Sequence, residues 1–185
     1  MIKAVMVINT LGKPRLSKFY EFQPAEKQQE LIRYVYAVLS NRPDNVSNFI
    51  RSLGTIFSPD TRLVYKHYAT LYFVFLFDNS ENELAMLDLI QVFVETLDKC
   101  FRSVCELDVV FNYSKMHTIL DEIILGGQVL ETDSVEVMRA VKEISKFVPL
   151  SRTHTTHEWH LCITALSPAF FILIVFISRF SGQNL

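Results

Sequence analysis

His154, His157 and His160 stand at i, i+3 and i+6, with Cys162 close behind, and all are metal-ligating residue types. On a helix His154 and His157 would share a face, while His160 drifts about 120° from the true repeat. No closed four-ligand pattern accompanies them, and nothing nearby would orient the imidazoles. They read as adventitious, and no metal site is expected. Lys13, Arg15 and Lys18 crowd one short stretch and could meet a phosphoinositide headgroup. Three cations on one hairpin are few for that task, and Arg15 by itself reads as a solvated strand charge. Asp121 and Glu122 are adjacent carboxylates of the kind that shuttle protons. Consecutive helical positions point them in different directions, so they read as a wet helix face. The nucleophile elbow, the dinucleotide fingerprint, the P-loop and the zincin motif are all absent from the sequence. Neither an enzyme nor a cofactor is expected.

The elements that would hold such residues belong to a chain with an ample core. The sequence has 185 residues, 50% of them hydrophobic and 12% aromatic, which excludes a disordered or low-complexity chain. A domain of this length buries roughly 70% of its unfolded surface. The formal net charge is −2, so no general nucleic-acid-binding field exists. Cys100, Cys105 and Cys162 are odd in number and form no C-x-x-C pair, which reads as reduced thiols in a cytosolic protein. The opening MIKAVMVINTLGK has an apolar run too short for a signal-peptide core.

Residues 2–8 are apolar on both alternating faces, as in a strand covered on both sides. Asn9 to Pro14 supplies turn residues, with Gly12 suited to positive φ, and 15–22 completes a hairpin. Pro24 opens a helix over about 25–42, carried by Leu31, Val35 and Val38 and stopped before Pro43. A short strand is expected near 49–57. Residues 62–68 and 70–77 carry the strongest strand signals, the second wholly apolar from Leu71 to Phe77. A two-faced apolar helix follows over about 83–101. Residues 105–125 read as helix with a break near Asn112, ended by Gly126 and Gly127. Asp133 and Glu136 resemble a capping box opening a last helix at about 134–147. Strands, a helix, strands and then helices imply an α+β fold with an antiparallel sheet sandwiched between helices.

Four segments carry a family resemblance: GKPRLSKFY at 12–20, YKHYATLYFVF at 65–75, LDLIQVFVETLDKCF at 87–101, and VCELDVVFNYSKMHTILDEIILGGQVLET at 104–132. The chain resembles the sigma (small) subunits of clathrin-type adaptor complexes from Met1 to about Ser145. Within them it is most similar to the sigma subunit of adaptor-protein complex 3 in its plant form. The resemblance implies a longin-like domain over 1–147, with a five-stranded antiparallel sheet flanked by helices on both faces. It implies a non-enzymatic subunit that stabilises a heterotetrameric vesicle-coat adaptor complex. Its partners would be the large delta-type subunit and, through it, the beta and mu subunits. Its place would be the cytosolic face of Golgi, endosomal and coated-vesicle membranes, and its work protein transport toward the vacuole or lysosome.

The resemblance also implies a site for acidic dileucine signals, Asp/Glu-x-x-x-Leu-Leu/Ile, on cargo tails. Such a peptide needs two adjoining apolar pockets, each buried Leu contributing roughly 1.5–3 kcal/mol before ordering costs, and a nearby cation. Carried over position by position, the pocket is Ala69, Leu71, Val94, Val104 and Val109. Its rim is Tyr68, Tyr72 and Ser103, and Arg15 contacts the acidic residue. A second arginine of the family comes from the large subunit, so this chain would form only part of the site. Without the resemblance, Val94, Val104 and Val109 read as ordinary core.

Residues 148–185 depart from the family and hold an uncharged run at 161–177. As a helix this run would reach about 25 Å, short of a roughly 30 Å hydrocarbon core, and Pro168 interrupts it. It reads as an atypical C-terminal tail. The competing interpretation, a tail-anchored longin-domain membrane-fusion protein, needs a heptad region that residues 147–160 do not provide.

Overall fold

The computed structural model describes residues 1–43, 46–51, 53, 56–101 and 104–147. The tail, with its histidines and apolar run, and Ser103 lie outside the described residues. β1 (Ile2–Asn9) and β2 (Pro14–Phe19) form the opening hairpin, followed by α1 (Ala25–Ser40). β3 (Phe49–Ile50) is only a stub of the strand expected near 49–57, and β4 (Thr61–Tyr68) and β5 (Leu71–Asp78) follow. Then come α2 (Glu83–Phe101), α3 (Glu106–Phe111), α4 (Tyr113–Ile123), β6 (Ile124–Leu125), β7 (Gln128–Val129) and α5 (Ser134–Phe147).

The main sheet has five antiparallel strands in the order β2-β1-β5-β4-β3. The wholly apolar strand is central because both its faces are covered. Leu71, Phe73, Phe75 and Phe77 of β5 pack toward α2 and α4 with Leu89, Ile90, Phe93, Leu97, Met116 and Leu120. The alternate residues Val74 and Leu76 pack toward α1 with Ile32, Val35 and Leu39. One strand thus supplies both cores through its period of two. An antiparallel sheet between helices is the architecture expected from the element order, and the count of five strands is the one the resemblance implies.

Two local features differ from expectation. The helix of 105–125 breaks at Asn112 but also stops at Ile123. Ile124–Leu125 pairs with Gln128–Val129 instead, as a small hairpin. Gly126 (φ 58°) and Gly127 (φ 82°) turn it, the pattern that two-residue hairpin loops require. The Ile2 amide donates to the Gly127 carbonyl at 2.8 Å, and a Cβ on Gly127 would lie 2.4 Å from the Ile2 carbonyl oxygen. This position therefore admits only glycine without a shift of backbone. At α5, the Asp133 side chain accepts the Val135 amide at 2.8 Å. Glu136 pairs with Arg139 rather than closing the box. Among the described residues no helix is long and apolar enough to cross a membrane.

Candidate functional site

The expected pocket residues come from four places in the chain. Ala69 is the first residue of the turn between β4 and β5, and it is exposed, with φ 51°. Non-glycine residues enter this left-handed region at a cost of roughly 1–2 kcal/mol. Leu71 opens β5 and is 5% exposed, and Val109 of α3 is fully buried. Val94 of α2 and Val104, in the link to α3, are half-buried against the same core. The Val104 amide donates to Asp98 Oδ1 at 3.0 Å, which holds that link against the end of α2. Leu71, Val94, Val104 and Val109 therefore belong to one apolar cluster. Val94 and Val104 form its outer wall, with Leu71 and Val109 beneath.

Tyr68 joins the same side. Its ring stands edge-on to Phe73 at 5.8 Å, and its hydroxyl donates to Gln91 Oε1 at 2.5 Å. Lys66 Nζ donates to the same oxygen at 2.9 Å, and Gln91 Nε2 donates to Glu95 at 2.9 Å. The tyrosine is thus fixed to α2 by a polar chain one turn from Val94. Tyr72 does not join them. It follows Leu71 directly, so the strand turns it to the α1 face, where it packs on that core and stacks on His67 at 4.3 Å.

Arg15 is not the solvated strand charge that the sequence suggests. Val7 pairs with Leu16 and Ile8 with Pro14, so Arg15 falls at a bulge with no residue opposed to it. Bulges re-aim side chains, and this one brings Arg15 to the start of α3. Its Nε and Nη2 lie 2.8 and 2.7 Å from Glu106 Oε1. The Arg15 side chain is 14% exposed and that of Glu106 is 25%. Asn9, at the buried end of β1, donates Nδ2 to the same oxygen at 2.9 Å. Thr70, in the turn beside Ala69, donates to Glu106 Oε2 at 3.1 Å. Burial pushes the Glu106 carboxyl up, but the bonds from Asn9 and Arg15 outweigh it and hold it below the usual range. One carboxylate thereby ties together β1, β2, the β4–β5 turn and α3, at the edge of the apolar patch.

The sequence alone marks no site role for Glu106 or Thr70, and gives Asn9 only a place in the turn after β1. A carboxylate in the first turn of a helix is an ordinary N-terminal feature, and its partner is 91 residues away. The cationic trio does not form a headgroup patch either. Arg15 is neutralised by Glu106, and Lys18 pairs with Asp121 of α4. Glu122, next to Asp121, instead lines a groove with Glu136, Val137 and Glu143 of α5, so the two carboxylates point apart as expected. Among the described residues no group of His, Cys, Asp and Glu could hold a metal ion.

The family model for the clathrin adaptor complex small chain matches residues 1–148. The chain belongs to that family. It is 71% identical over 153 residues to the AP-3 complex subunit sigma of Arabidopsis thaliana, a match covering 83% of this chain and 92% of that protein. It is 51% identical over 142 residues to the human AP-3 complex subunit sigma-2, covering 77% of this chain and 74% of the relative. Dictyostelium discoideum AP-3 sigma is 53% identical over 135 residues. Among structures, a chain of a homology model of the full-length AP-3 complex in a stretched open conformation superposes with a TM-score of 0.63 at 40% identity. That match covers 79% of this chain and 94% of the other. These likenesses make the chain an AP-3-type sigma small subunit of an adaptor complex, consistent with vesicle trafficking.

Proposed function

We propose that this chain works in a heterotetrameric type-3 adaptor complex, where it stabilises the complex core and contributes to recognition of acidic dileucine signals. Residues 1–147 form the working domain. The large delta-type subunit is its direct partner, with the beta and mu subunits held through it. The complex acts peripherally on Golgi and endosomal membranes and sorts cargo toward the vacuole or lysosome. One observation supports the recognition half of this proposal: the apolar wall of Val94 and Val104 is half-buried on the cluster that holds Leu71 and Val109, and Leu71 and Val104 lie within two residues of Thr70 and Glu106, which form the corner with Arg15. The wall suits two consecutive apolar side chains of an extended peptide, with Tyr68 and, from its matched position in the sequence, Ser103 as rim residues. Arg15 faces the acidic residue four positions earlier. Micromolar affinity suffices, because a coat gains avidity from many weak contacts on one membrane.

The test is co-purification followed by peptide binding. The 185-residue chain, and separately residues 1–147, are co-expressed with the N-terminal half of a type-3 large subunit. A stoichiometric complex with both is expected, and assembly of neither would overturn the proposal. Assembly of 1–147 alone would assign the defect to residues 148–185. The assembled complex should then bind an Asp-x-x-x-Leu-Leu peptide and lose it when both leucines become alanine. Equal binding of the two peptides would remove the pocket assignment.

A further inference from the structure

Arg15 meets a carboxylate before any cargo arrives. Glu106 Oε1 takes Arg15 Nε and Nη2, and Asn9 and Thr70 hold the same carboxylate from two other sides. A guanidinium carries five N–H donors in a fixed fork, so donors remain on Arg15 after Glu106 is satisfied. The charge does not remain in the same way. A carboxylate approaching Arg15 enters the field of a neutral pair and stands close to a like charge that is mostly buried and weakly screened.

We propose that Glu106 is the specificity-setting residue of this site: an internal counter-carboxylate that offsets Arg15 and so limits how strongly an acidic signal residue is preferred over a neutral one. This rests on the dileucine reading above and adds the control of its acidic position. Glu106 does not touch the leucines, whose wall is Val94 and Val104, so the two halves of the signal are tuned by separate groups. Asn9 and Thr70 act through Glu106, as positioning residues that keep its carboxylate on Arg15. Removing the charge at Glu106 leaves the apolar half intact and exposes the full charge of Arg15 to the ligand.

The experiment uses the assembled complex containing the full chain, with two peptides that differ only in Asp or Asn at the acidic position. E106Q keeps an oxygen for Arg15 and removes the charge. It is expected to tighten the Asp peptide about tenfold and to leave the Asn peptide within about twofold. The tightening should also shrink as salt rises, because it comes from a newly uncompensated charge. E106M, which removes the charge without adding an amide, should change the Asp-to-Asn ratio in the same direction. An unchanged or weakened Asp peptide in both variants, with the Asn peptide still bound, would make Glu106 a mere holder of Arg15 and overturn the proposal. Failure of both variants to assemble would make the carboxylate a folding element and overturn it as well. If wild-type complex binds neither peptide, the dileucine reading itself fails, an outcome separate from the other two.

Discussion

Val94 and Val104 lie against a core that their neighbours in the chain already define, whereas Arg15 meets Glu106 across 91 residues. The apolar half of the proposed site is an extension of ordinary packing. Any adjustment there is shared with Phe93, Leu97 and the aromatic residues of β5. The charged half is a corner of hydrogen bonds in which Asn9, Arg15, Thr70 and Glu106 depend on one another. Packing tolerates volume-conserving exchange, but a buried polar network is stable only when each member is satisfied. The two halves should therefore fail differently.

The largest effect is expected from Val94→Asp. A carboxylate in the half-buried wall has no partner, and should cost roughly 2–4 kcal/mol in folding or peptide binding. Urea unfolding and peptide titration measure the two costs. Normal binding of a dileucine peptide by a folded, assembled V94D complex would remove Val94 from the site. Next comes Arg15→Ser. Because the pair is mostly buried, losing it should destabilise the chain by about 1.5–3 kcal/mol, the range for hydrogen bonds to charged groups. It should also reduce the preference for an acidic peptide. An unchanged melting temperature would mean that the corner is as inconsequential as a surface pair, and the contrast between the halves would vanish.

A smaller effect separates paired from unpaired polar groups. Among the described residues, His117 Nε2 is buried without a hydrogen-bond partner. Burial, and then the nearby Lys18 charge, hold its pKa below the ordinary 6.5. The unfolded chain takes up that proton first, so this contribution is fully present above pH 6.5. It is lost as pH falls from there toward the lower folded value. Melting temperatures measured between about pH 7.5 and 5 should decline for the wild type and less steeply for His117→Gln. Equal slopes would show that burial of this imidazole has no consequence. The smallest effect belongs to Ala69→Gly. Relief of the left-handed backbone and the added chain entropy of glycine nearly offset, leaving a gain of about 0.5 kcal/mol. A loss of stability would mean that the Ala69 methyl packs more than its exposure suggests.

The parts that the sequence makes legible are those with local causes. Period-two alternation and the unbroken run from Leu71 to Phe77 locate β5 as the central strand. Helical spacing of Leu31 and Val35 identifies the face of α1 that covers it, but Leu39 and Ile32, rather than Val38, complete its buried set. The same alternation places Tyr72 on the face of β5 opposite to Leu71. The Ile124–Val129 hairpin was hidden because its two-residue strands are too short to show a period. The burial of Arg15 was hidden for a different reason. It requires a bulge, whose existence depends on how β2 pairs with β1, and a partner that is distant in sequence. Nothing about Glu106 distinguishes it locally from any acidic residue opening a helix.

The bulge at Arg15 has a consequence for how this surface can diversify. A residue within a regular ladder is bound to its cross-strand neighbour, and exchanging it alters a pair worth roughly 0.2–1 kcal/mol. Arg15 has no such neighbour, since Pro14 and Leu16 take both pairings. Its identity answers to α3 and to whatever peptide lies outside, and not to the strand beside it. Related chains can thus rewrite the charge at this position, or compensate it at the position of Glu106, while the hairpin that carries it keeps its register.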